Sequence, residues 1–275
     1  MPHPFAAVLL TAVLPAVAAA QTVTITLSAP QAGQTVVPGA AIDWQIAFSV
    51  SAGDNDGLAL LITDLVQDPA NPALLDIPPA DGVPSGMSNF SRPAGICNPG
   101  ETDPLTGYIG VQRGAAGQKN LRQIGGAQNT FGQAFPPGSG VGENADVISG
   151  VGQAGAEVLA SGSFVAPATC GAYTFRLENP LANVIVQRFD PPAFSPVIQA
   201  TVDATAGSFS FTVGLPGDVD GDGDVDLSDL AILLSTYGAC AGDPNYLPSA
   251  DLDGNGCVGL EDLALELAHY GQTCQ

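Results

Sequence analysis

Near the C-terminus, residues 218–229 read Asp-Val-Asp-Gly-Asp-Gly-Asp-Val-Asp-Leu-Ser-Asp. Counted from Asp218, carboxylates fall at positions 1, 3, 5, 7, 9 and 12, as Asp218, Asp220, Asp222, Asp224, Asp226 and Asp229, with Gly223 at 6 and Val225 at 8. Alternate oxygen-bearing side chains around a glycine turn suit a hard cation, because Ca²⁺ takes about six to eight oxygen ligands and tolerates uneven geometry. The pattern returns 33 residues later: Asp251, Asp253 and Asn255 take positions 1, 3 and 5, followed by Gly256, Val258 at 8 and Asp262 at 12. Cys257 stands at position 7, where the backbone carbonyl is the ligand and the side chain is free. Two bound Ca²⁺ ions are expected. The first should be the tighter, since Asp222 and Asp226 stand where the second loop has Asn255 and Gly259.

The repeat continues into whatever element must hold each loop. Leu227, Asp229, Leu230, Ala231, Leu234, Tyr237 and Gly238 recur as Leu260, Asp262, Leu263, Ala264, Leu267, Tyr270 and Gly271. Leu227, Leu230, Ala231 and Leu234 have the i, i+3, i+4, i+7 spacing of one apolar helix face, and Gly238 and Gly271 are helix stops. The Gly-Leu-Pro-Gly break at residues 214–217 prevents a helix before the first loop. The unit is therefore loop then helix, twice.

Over residues 217–271 this arrangement resembles the dockerin family of type I pattern. The resemblance implies a small all-α calcium-binding domain that docks a cohesin-type domain in an extracellular or cell-surface assembly, usually one concerned with polysaccharide degradation. It also implies that recognition lies on the helices, at Leu227, Ser228, Leu234 and Ser235 in the first repeat and at Leu260, Glu261, Leu267 and Ala268 in the second. Basic residues common in the family near the latter part of each helix are absent here.

The length of 275 residues allows two domains, with residues 21–213 before a linker at 214–217 and the dockerin-like domain at 218–275. The formal charge of −21 is unevenly spread, because all six basic residues precede residue 215. So acidic a chain argues against a nucleic-acid partner. With no cation, the alternating Asp side chains repel, and the C-terminal domain is expected to be poorly folded until Ca²⁺ binds.

Residues 1–20 read as a secretory signal, with an apolar run followed by Ala18-Ala-Ala before Gln21. That run is shorter than the roughly 20 residues of a membrane span, and no later segment resembles one. Export permits disulfides among the five cysteines. Cys97 and Cys170 pair by default as the two in the N-terminal domain. Antiparallel repeats would bring Cys240 to Cys257 and leave Cys274 odd, although sequence alone leaves connectivity open.

The N-terminal domain reads as mainly β. Residues 22–27 alternate strictly, and Ile42, Trp44, Ile46, Phe48 and Val50 form one face of a strand. Trp44 is expected in the core, where a sugar-stacking platform would need it exposed. Residues 58–62 read as a buried strand or a short helix start, and residues 93–155 as long Gly/Pro-rich loops or partial disorder. Further strands are expected at 157–160, 162–165, 173–177, 183–186, 198–204 and 209–213. Together these predict a β-sandwich loosely similar to immunoglobulin-like, cohesin-like or carbohydrate-module sandwiches.

Catalytic chemistry is poorly supplied. After residue 20, His269 is the single histidine, so neither a Ser-His-Asp system nor a histidine zinc site can be assembled in the N-terminal domain. A carboxylate pair for glycoside hydrolysis would have to come from Glu143, Asp146, Glu157 and Glu178. Asp54 and Asp56 are candidates for a structural calcium. The expectation is an interaction protein and not an enzyme. The alternative is a polysaccharide-binding or glycan-hydrolysing cargo carried by the dockerin-like domain.

Overall fold

The computed structural model describes residues 21–79, 90–91, 111–128, 130, 147–190 and 193–274. The signal segment, Cys97, Glu143 and Asp146 lie outside the described residues. Eleven strands and two α-helices are present among those described.

The first sheet is built from β1 (Thr22–Ser28), β3 (Ala41–Val50) and β8 (Glu157–Val165), with β3 between the other two and antiparallel to both. The second centres on β9 (Gly171–Ile185), which pairs along one edge with β4 (Leu58–Gln67). Beyond β4 lies β7 (Asn120–Gln128), with the short β5 (Phe90–Ser91) and β6 (Val111–Arg113) on it. The other edge of β9 takes β11 (Ser208–Val213), on which the two-residue β2 (Thr35–Val36) lies parallel. One strand, β10 (Val197–Ala206), belongs to both layers: residues 197–200 pair with β9, and from Thr201 onward it runs parallel to β1. The two sheets thus face each other as a β-sandwich joined along one edge.

The core follows from alternation. In β3, Ile42, Trp44, Ile46, Phe48 and Val50 are all at most 5 % exposed, as the period of two predicts. Trp44 at 2 % exposure is core and offers no stacking platform. A Cβ at Gly162 of β8 would sit 2.6 Å from the Trp44 ring, so glycine makes room for the indole. From the opposite sheet Phe175, Phe209, Phe211 and Tyr173 form an aromatic cluster, which Phe164 of β8 joins at 4.7 Å from Phe175 between ring centroids.

Two sequence expectations change. Residues 93–155, read as loop or disorder, contain β6 and β7, and Leu121 and Ile124 of β7 are fully buried. The glycines that suggested loop serve close strand packing: Gly125 has φ 132°, and a Cβ there would overlap the Leu61 carbonyl of β4. Residues 173–177 and 183–186, read as separate strands, belong to β9, which ends at Ile185 and stays continuous past Asn179 at φ 50°. The buried Asp64 carboxylate stabilises this irregular stretch, accepting from Asn179 Nδ2, the Gln123 amide and Arg122 Nη1, each at 2.8 Å. Of the two readings for residues 58–62, the buried strand is the one found, continuing to Gln67.

Candidate metal centre

The C-terminal module contains α1 (Leu227–Thr236) and α2 (Leu260–His269), each entered directly from an acidic loop. Asp226 caps α1, its carboxylate accepting the Ser228 amide at 2.6 Å. Both helices end at a tyrosine followed by a left-handed glycine, Gly238 at φ 85° and Gly271 at φ 81°.

The two loops have the same internal wiring. Asp229 is fully buried, and its Oδ1 accepts the Val219 and Asp220 amides at 2.7 and 3.1 Å while Oδ2 accepts the Asp226 amide at 2.8 Å. Asp262 repeats this with Leu252, Asp253 and Gly259 at 2.7, 3.1 and 2.6 Å. Position 12 therefore folds each loop's backbone onto the first turn of its helix. Oδ1 already accepts two amides, so the coordinating capacity left at position 12 lies on Oδ2, which accepts one.

Each loop is also closed by the segment that follows the other repeat's helix. Gly238 N–H donates to Val258 O, Val258 N–H to Ala239 O and Ala241 N–H to Gly256 O, at 2.8, 2.8 and 2.7 Å. The counterparts, shifted by the repeat, are Gly271 to Val225, Val225 to Gln272 and Cys274 to Gly223, at 2.8, 2.9 and 2.7 Å. The module is thus a closed exchange of two short ladders around Val219, Leu233, Ala250 and Val258.

Acidic oxygens converge in three places. Those of Asp218, Asp220 and Asp222 lie within 4.8 Å of one another, as do those of Asp224, Asp226 and Asp229, and those of Asp251, Asp253 and Asp262. Positions 1, 3 and 12 of the second loop therefore meet, whereas the six acids of the first loop divide into two triplets. Asn255 Oδ1 accepts the Cys257 amide at 2.9 Å, and the Cys257 sulfur is in a disulfide, leaving its carbonyl for position 7.

The donor set fits a divalent cation on a specific ground. Asp224 Oδ1 and Asp251 Oδ1 are buried with no hydrogen-bond partner, one in each loop. An orphaned carboxylate oxygen is costly unless a cation satisfies it. Desolvation and then the charges of Asp222, Asp226, Asp229 and Asp220 push Asp224 above its ordinary carboxylate value, and Asp220 rises, first through desolvation. Asp251 moves down instead, chiefly because the Tyr246 hydroxyl donates to its Oδ2 at 2.6 Å. Tyr246 has no counterpart motif in the first repeat and was not singled out by spacing.

Burial on the helices is inverted relative to their sequence pattern. The residues that face inward on α1 are Asp229, Leu233 and Thr236, and on α2 Asp262 and Glu266. Most of the apolar face instead lies outward: Leu227, Leu234 and Tyr237 are 69, 53 and 48 % exposed, and Leu260, Leu267 and Tyr270 are 65, 54 and 45 % exposed, while Leu230 and Leu263 are half-buried and Leu263 packs against the module core. Ser228, Ser235, Glu261 and Ala268 lie exposed beside them. The eight residues suggested for partner contact are thus all on the surface.

Two disulfides link this module. Cys240–Cys257 forms as expected, across an antiparallel bridge between the end of α1 and the second loop. Replacing both with Ser should lower the module's stability by roughly 3 kcal/mol for a loop of this length. The check is the urea midpoint of the full chain followed by far-UV circular dichroism, and an unchanged midpoint would contradict it. The default pairing of Cys97 with Cys170 is corrected: Cys170 bonds Cys274. The return of residues 271–274 along the first loop brings Cys274 to the β8–β9 turn, a contact across 104 residues that spacing could not reveal.

The other candidates do not assemble a centre among the described residues. Glu157 Oε1 accepts the Gly152 amide at 2.6 Å, and Glu178 is held by Arg176 at 2.9 Å and Arg122 at 3.7 Å. The Asp56 carboxylate accepts the Arg188 amide, and Asp54 forms no metal-holding group with it. His269 Nδ1 lies 3.2 Å from Gln272 Oε1, on the helix surface side of α2.

No family model and no curated protein matches the chain. Among solved structures it is similar to the seventh ScaB type I cohesin from Pseudobacteroides cellulosolvens, at 16 % identity and TM-score 0.37, covering 70 % of this chain and 92 % of that one. It is also similar to a chain of the CaDoc0917–CaCohA2 complex, at 12 % identity and TM-score 0.35, covering 70 % of this chain and 99 % of that one. A type II cohesin–X-dockerin complex from Acetivibrio cellulolyticus matches at 16 % identity and TM-score 0.21, over 44 % of this chain and 71 % of that one. Likenesses this remote carry no argument about function. No helix among the described residues is long and apolar enough to cross a membrane.

Proposed function

We propose that this chain is an exported, calcium-dependent docking protein. Its dockerin-like module holds two Ca²⁺ ions and seats its helices on a cohesin-type domain of another protein, with the sandwich as cargo. In the first loop Asp218, Asp220, Asp222, Asp224, Asp226 and Asp229 supply oxygens, and in the second Asp251, Asp253, Asn255, the Cys257 carbonyl and Asp262 do. The ion would neutralise clustered carboxylates and hold each loop against its helix.

The observation that carries this reading is the inverted burial of the helices. Six large apolar side chains repeated at equivalent places, each roughly half or more exposed, form two ridges on an otherwise acidic module. Apolar surface displayed on both repeats, while carboxylates take the interior, is costly to solubility and marks an interaction face. Among the described residues, the engaged Glu157 and Glu178 and the buried Trp44 favour neither glycan hydrolysis nor glycan stacking, which supports a reading of binding without catalysis.

Calorimetric titration of the full, chelator-treated chain with Ca²⁺ tests the first half; two equivalents and a gain of helix are expected. Binding to immobilised purified cohesin domains, with Ca²⁺ and with chelator, tests the second. Leu234→Asp combined with Leu267→Asp should weaken that binding by about 2 kcal/mol or more, with the unfolding midpoint unmoved. A chain that takes up no Ca²⁺ refutes the reading, and equal cohesin binding by the double variant refutes the ridges as its surface.

A further inference from the structure

The two loops differ in how their closing strands are secured. In the second repeat the closing segment, residues 238–241, is cross-linked directly to its loop by Cys240–Cys257. The equivalent cross-strand pair in the first repeat is Thr273 with Asp224, which has no covalent bond. The strand that closes the first loop, residues 271–274, is instead anchored outside the module, through Cys274 to Cys170 of the sandwich.

That anchor point is rigid. Cys170 packs against the sandwich core in the turn leading to β9. Next to it, the Thr169 carbonyl accepts the fully buried Tyr173 hydroxyl at 2.6 Å. Gly171, at φ 130°, lies so close to the Pro72 ring that a Cβ would approach it to 2.7 Å. A fixed turn therefore holds Cys274, whose amide donates to Gly223 O at position 6 of the first loop. One residue pair away, Val225 exchanges hydrogen bonds with Gly271 and Gln272 at position 8.

We propose that the Cys170–Cys274 disulfide closes the first calcium loop, making the sandwich a structural part of that site. Resting on the calcium reading above, this goes beyond it by assigning the two loops unequal dependence on the cargo domain. With the disulfide intact, residues 271–274 are presented to the first loop at high effective concentration. Once it is cut, three backbone hydrogen bonds and local contacts such as Gln272 with His269 remain to hold the strand. The second loop keeps its own cross-link and serves as the internal control.

The test uses the full oxidised chain with Cys170→Ser and, separately, Cys274→Ser, which leaves the sandwich residues unaltered. Amide exchange at Val225 and Val258 is followed in saturating Ca²⁺, and Ca²⁺ affinity by calorimetric titration. Expected are faster exchange at Val225, unchanged exchange at Val258, and one of two Ca²⁺ equivalents weakened about tenfold by the lost effective concentration. Unchanged Val225 exchange with two unaltered affinities in both variants overturns the proposal. A native chain that takes up no Ca²⁺ overturns the calcium reading and this inference with it, and is told apart because the failure is in the unmodified protein.

Discussion

Asp229→Ala is expected to unfold the C-terminal module even in the presence of Ca²⁺. The Asp229 carboxylate is fully buried and accepts three backbone amides, from Val219, Asp220 and Asp226. Its removal leaves those donors unpaired in the loop and cuts the tie between the loop and α1. Hydrogen bonds to charged groups are worth about 1.5–3 kcal/mol each, and an unsatisfied buried donor costs about 1–3 kcal/mol. Even with strong non-additivity the loss is on the order of 3–5 kcal/mol, comparable with all the stability a domain this small has. Asp222→Asn is the matched control, because Asp222 is exposed and its Oδ1 accepts only the Asp224 amide at 3.1 Å, which an amide oxygen can also do. That variant should keep its helices in excess Ca²⁺ and bind the ion more weakly. Far-UV circular dichroism with Ca²⁺ and with chelator separates the two. Helical Asp229→Ala protein in excess Ca²⁺, with an unfolding midpoint near the parent's, would contradict the structural role.

The calcium-free module loses stability as pH rises through neutrality, and Glu266→Leu removes much of that loss. Glu266 is fully buried on α2, and neither carboxylate oxygen has a hydrogen-bond partner. Burial, with a further contribution from the Asp229 charge, pushes its carboxyl from 4.5 up to about 7. A carboxyl raised in the folded state binds its proton more tightly there than in the unfolded chain. The stability from the protonated form is therefore full below about 4.5 and is lost as pH rises through about 7. That interval is equivalent to roughly 3 kcal/mol. Asp220 and Asp224, also raised, act in the same direction, so the decisive quantity is the difference between parent and variant. Leucine is the natural replacement, because one repeat earlier the equivalent position is Leu233, fully buried in the module core. Urea unfolding in chelator at pH 5 and pH 8 should show a smaller pH difference for Glu266→Leu and greater stability at the higher pH. The same pH difference in both proteins would rule out Glu266 as the group responsible.

Much of the acidic-loop pattern was legible because its signals are local. A loop position is set by residues a few places away, so alternating Asp with Gly223 and Gly256 announced both turns, and apolar spacing with the glycine stops placed both helices. Alternation in β3 and β11 likewise placed Trp44 and the Phe209–Phe211 pair in the core. A 33-residue repeat also held a signal for Glu266, since it aligns with the buried Leu233. What remained hidden depends on partners distant in the chain. Strand β7 looked like loop because its glycines serve contact with β4, which composition cannot show. Nothing in the helix period says which way an apolar face points. Here Asp229 and Asp262 are drawn inward by backbone amides of their own loops, which turns Leu227, Leu234, Leu260 and Leu267 to solvent. Sequence by itself determined the loops, the helices and the alternating strands, because these follow from neighbours. Only the tertiary structure decided the pairing of Cys170 with Cys274, the mutual closure of the two repeats and the exposed ridges, because each depends on where the chain returns in space.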